Sequence, residues 1–172
     1  MEAQVQLSSA ELAQCVIQAM TRMTASRYAD RNQARSVNRT WFQHLKDELV
    51  GVIAENGYCK WKGIYPSREV DTFHRVADTA DGAEIRSITN ANNCLIVRND
   101  DPKERPYVLV LVDSNAVCSM LGWVYGYEAR QDKWLRDPGG KRASWFVPQE
   151  SLRPIESLRA DRRAANGTHP QH

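Results

Sequence analysis

The chain has 172 residues, of which 42% are hydrophobic and 26% charged, with a net charge of +2; that accommodates one domain with an extension but not two full domains. An ordinary apolar share that includes five Trp and six Tyr excludes wholesale disorder, and a charge of +2 is too small to mark a nucleic-acid binder by itself. The longest apolar run, Tyr107 to Val112, is far too short for a bilayer, and Met1-Glu2-Ala3-Gln4 lacks the basic start of a secretion signal, so a cytoplasmic protein with no membrane partner is expected.

Ser8-x-x-Glu11 is a capping-box pattern, and Leu12, Val16, Met20 and Met23 follow at helical spacing, which predicts an amphipathic helix from Ser9 to about Thr24. Trp41, Leu45, Leu49, Val52 and Ile53 define a second helix, interrupted by Gly51 and with Gly57 as a candidate end or bend. After Pro66 the pattern becomes β-rich: Glu69 to Val76, Ala83 to Ile88, Cys94 to Arg98, Tyr107 to Val112 and Val117 to Tyr125, separated by turn-rich stretches that suggest a mainly antiparallel meander. Tyr127 to Leu135 reads as a short helix, Trp145 to Pro148 as a brief edge strand, and helix resumes near Pro154 or Ile155. Cys15, Cys59, Cys94 and Cys118 form no C-x-x-C pair, so reduced, mostly buried thiols are expected and zinc is not.

The expected fold is thus α/β in the α+β sense: a central mixed, mostly antiparallel sheet flanked by helices. Residues 1–40 are expected to form an N-terminal helical extension, 41–160 the α/β domain and 161–172 a disordered tail.

A metal-dependent phosphodiesterase needs carboxylates that converge on a hard cation. Asp71 and Glu84 lie on consecutive predicted strands joined by the turn around Asp78 to Gly82, so a hairpin could bring them together. Strand alternation places Glu84 and Arg86 on one face and turns Ile85 the other way. An isolated Glu-x-Arg on a strand also arises by chance, and an Asp beside a turn is commonly a surface residue.

The order Gly51-Val52-Ile53-Ala54-Glu55, Val70-Asp71, Glu84-Ile85-Arg86 resembles the core of PD-(D/E)XK nucleases. The wider similarity is to a phage-encoded group of small proteins with this core. It rests on Leu95-Ile96-Val97-Arg98, Asn99-Asp100-Asp101, Tyr107-Val108-Leu109-Val110, Gly122-Trp123, Glu128-Ala129-Arg130, and Phe146-Val147-Pro148 through Leu152-Arg153-Pro154, and covers about Leu49 to Leu158. The resemblance implies Glu55, Asp71 and Glu84 as ligands for Mg²⁺ or Mn²⁺, with Arg86 where the family has lysine. Arginine stays protonated, so Arg86 can supply charge and hydrogen bonds to a phosphate but cannot act as a base. Lys60 is a candidate to enter the site from the helix side.

Arg27, Arg31, Arg35 and Arg39 recur every fourth residue and would form one basic stripe on a helix, suited to phosphates or to a partner protein, or simply solvated. His44 and His74 are the histidines inside the expected fold, and Trp123 and Tyr125 fit a core better than a base-stacking platform. Two functions follow. One is a metal-dependent nuclease, or a nuclease-derived protein binding nucleic acid, DNA before RNA. The other is a non-catalytic phage protein that inhibits a host defence or nucleic-acid enzyme. A homodimer is compatible with either.

Overall fold

The computed structural model describes residues 3–28, 40–66, 77–137, 140 and 143–160. The chain opens with a strand that has no periodic signal in the sequence, β1 (Ala3–Gln6), and then enters helix α1 (Ser9–Tyr28). The expected capping box forms: Glu11 accepts from the Ser8 backbone N–H at 2.6 Å while Ser8 Oγ accepts from the Glu11 N–H. Helix α2 (Trp41–Lys62) has a second box, Thr40 with Gln43, and ends at Gly63, whose φ of 75° supplies the left-handed cap.

Gly57 does not end this helix, contrary to the sequence expectation. It is a contact point instead: a Cβ there would lie 2.5 Å from Cys118 Sγ, so the missing side chain lets α2 approach the sheet. Gly51 leaves α2 unbroken as well.

The remaining elements are strands β2 (Glu84–Ile88), β3 (Leu95–Arg98), β4 (Pro106–Val112) and β5 (Val117–Tyr125), the single turn α3 (Gly126–Ala129), a 3-10 turn at Asp132–Trp134, strands β6 (Leu135–Arg136) and β7 (Ser144–Val147), a 3-10 turn at Gln149–Ser151 and helix α4 (Glu156–Ala160). The helix expected over Tyr127 to Leu135 is therefore broken into three short pieces. The expected strand Glu69 to Val76 lies outside the described residues.

Among the described residues two sheets form, not one meander. The larger has the order β1-β5-β4-β2, antiparallel except for β2 and β4, which run parallel. Parallel neighbours need a crossover rather than a hairpin, and here the connecting chain contributes β3 to a separate antiparallel sheet ordered β3-β7-β6. The sequence reading makes Trp145 to Pro148 an edge strand; β7 instead sits in the middle of this second sheet. The architecture is α+β with mixed and antiparallel sheets flanked by helices.

The faces of β2 and β4 separate two cores. Ile85, Val108 and Val110 pack with Val52, Ile53 and Tyr58 of α2 and with Cys15 and Ala19 of α1. Tyr107 and Leu109 face the other way, against Leu95, Val97, Val124, Trp134 and Val147. Trp123 and Tyr125 are buried core residues, Trp123 donating its indole N–H to Ser157 Oγ at 2.9 Å. All four cysteines are free, Cys94 being the one partly exposed. Among the described residues no helix is long and apolar enough to cross a membrane.

Gly122, from the Gly-Trp pair, follows a register shift in the β4–β5 ladder and has φ 153°. Its bare Cα lets the C-terminal segment close on the sheet: Trp123 and Arg153 exchange backbone hydrogen bonds at 3.1 and 2.9 Å. A Cβ at position 122 would sit 2.7 Å from the Arg153 carbonyl oxygen. Gly122→Ala should therefore cost about 2–4 kcal/mol in chemical denaturation, from backbone strain and a clash with main chain rather than with a flexible side chain. A cost under about 0.5 kcal/mol would show that the segment adjusts freely.

Candidate functional site

Glu55 lies in the middle of α2 and is 7% exposed. Arg22 reaches it from α1, Nη1 and Nη2 donating to its two carboxylate oxygens at 2.8 Å each. Fork-to-fork pairing of this kind takes up both oxygens in one plane. Burial pushes the Glu55 carboxyl up to about 7 although Arg22 pulls it down; Asp78 and Glu48 add to the rise.

Glu84 opens β2 and is 3% exposed. Arg105, just before β4, donates to Glu84 Oε1 at 2.5 Å. Burial and the charge of Asp78 raise the Glu84 carboxyl, against the pull of Arg105 and Arg86. Arg86 turns toward the β3 loop: Nη2 donates to Asp101 Oδ2 at 2.7 Å, Nε donates to the Ile96 carbonyl at 3.2 Å, and the guanidinium lies 5.1 Å from the centre of the Tyr107 ring. The Asp101 side chain is fully buried, and its Oδ2 also accepts the Arg98 backbone N–H.

The register places these groups. Glu84 lies opposite Tyr107 and Arg86 opposite Leu109, whereas Ile85 lies opposite Val108. Cross-strand neighbours share a face, so Glu84 and Arg86 belong to the side of the second core. Glu55 is carried by α2 on the opposite side. Asp71, the third member of the expected ligand set, lies outside the described residues. Lys60 does not enter this region: it bonds to Glu11 at 2.8 Å and to the Gln6 carbonyl at 3.1 Å.

Sequence reasoning missed Asp78. Its Oδ2 accepts the Ile85 backbone N–H at 2.7 Å, and its charge raises both Glu55 and Glu84. The residue falls in what reads as an ordinary turn, and only the fold reveals that the turn lies between the two glutamates electrostatically. Beyond it, Asp81 ties the turn to α2 through Lys62 and through the Tyr58 hydroxyl, which donates at 2.8 Å.

A hard divalent cation needs several free oxygens converging at about 2.0–2.6 Å. Glu55 and Glu84, the two described members of the expected set, do not offer such a convergence. Both Glu55 oxygens are held by Arg22, Glu84 is held by Arg105 on the other side of the sheet, and among the described residues no group of three or more His, Cys, Asp or Glu side chains is arranged to bind a metal.

Of the basic stripe, Arg27 lies in the last turn of α1 without a described side chain, and Arg31, Arg35 and Arg39 lie outside the described residues. Thr40, at φ −72° and ψ 161°, is a non-helical cap, so α2 begins afresh at Trp41. His44 lies on α2, one turn before Glu48, whose carboxyl is raised by burial; His74 is outside the described residues. No protein family, curated protein or solved structure gives a match to this chain.

Proposed function

We propose that this chain is a non-catalytic interaction protein on a PD-(D/E)XK-like scaffold, directed at nucleic acid or at a host enzyme that acts on it. The observation that carries the reading is the bidentate hold of Arg22 on Glu55. With it, the position at which a nuclease of the resembled type would offer a carboxylate to metal is closed by a guanidinium already present. Arg105 holds one carboxylate oxygen of Glu84, and Arg86 is committed to Asp101. Of the charges that the sequence pattern suggests for catalysis, Glu55, Glu84 and Arg86 serve internal cohesion.

The hydrolase reading keeps one observation in its favour: Asp78 acts on both Glu55 and Glu84, so three carboxylates share an electrostatic neighbourhood. The two readings separate on plasmid and single-stranded DNA incubated with the full chain, with Mg²⁺, with Mn²⁺ and with chelator. The expected result is no cutting above the chelator control, and none gained by Arg86→Lys. Metal-dependent cutting that disappears in Glu84→Ala would overturn the proposal.

A further inference from the structure

We draw no further inference here: the strongest candidate, the groove of about 560 Å³ between helix α2 and strands β2, β3 and β7, joins apolar Val50, Ile96 and Phe146 to exposed Lys46 and Asp47 of opposite charge, and nothing in the structure shows what covers it.

Discussion

Arg22→Ala should destabilise the protein by about 3–5 kcal/mol at pH 8, the cost of leaving a buried carboxylate without its counter-ion. Neither side chain is exposed enough for solvent to take over the pair, at 20% for Arg22 and 10% for Glu55. The loss should shrink on acidification. The folded-state carboxyl of Glu55 stands at about 7 against an ordinary 4.5, so between those values the folded protein holds a proton that the unfolded chain has released. This group therefore favours folding most at the acid end, and stability falls as pH rises through that window. Without Arg22 the carboxyl rises further, and the variant gains more than the wild type as pH falls from 8 to 5. Glu55→Gln should flatten the window, and adding it to Arg22→Ala should recover part of the loss at pH 8. Urea denaturation at both pH values measures all four proteins; a pH-independent cost for Arg22→Ala would mean that Glu55 is already neutral in the fold.

The second large effect distinguishes two roles for Arg86. A residue kept to bind phosphate would be removable without harm to the fold. Here the Asp101 carboxylate has no exposed surface and takes Arg86 as an ion-pair partner at 2.7 Å, while the same guanidinium donates to the Ile96 carbonyl and stacks on Tyr107. Arg86→Ala should thus cost about 3 kcal/mol or more. Arg86→Lys should recover only part of this, because a single ammonium cannot make the planar set of contacts. Pairing Arg86→Ala with Asp101→Asn should cost less than the sum of the two single changes, since they remove the same interaction. A fully stable Arg86→Ala protein would return Arg86 to the list of surface groups available for a ligand.

How far the sequence spoke depended on the range of the interaction. The Ser8–Glu11 cap is a local exchange across three residues and was legible, as were both long helices and the apolar strands Tyr107 to Val112 and Val117 to Tyr125. β1 was not: Ala-Gln-Val-Gln has too short an alternation to stand out, and it is a strand because β5 pairs with it. The parallel pairing of β2 with β4 was hidden for a related reason, because adjacency along the chain favours the hairpin interpretation. The candidate site divides the same way. Alternation correctly separates Ile85 from Glu84 and Arg86, yet the partners that decide what these charges do lie 33 residues away for Glu55, 21 for Glu84 and 15 for Arg86. No local spacing rule reaches them.

Residues 89–105 leave β2, lend β3 to the second sheet, and return at the start of β4. Asp101 and Arg105, near the far end of that excursion, are the counter-charges for Arg86 and Glu84 at its beginning. β2 therefore cannot settle alone on the growing sheet, since that would bury two charges before their partners arrive. The strand, its crossover and the edge of the second sheet are bound into a single cooperative unit. Its contacts are non-local, joining the two ends of the β2–β4 connection, and opening β2 would expose all four charges together rather than fraying one residue at a time.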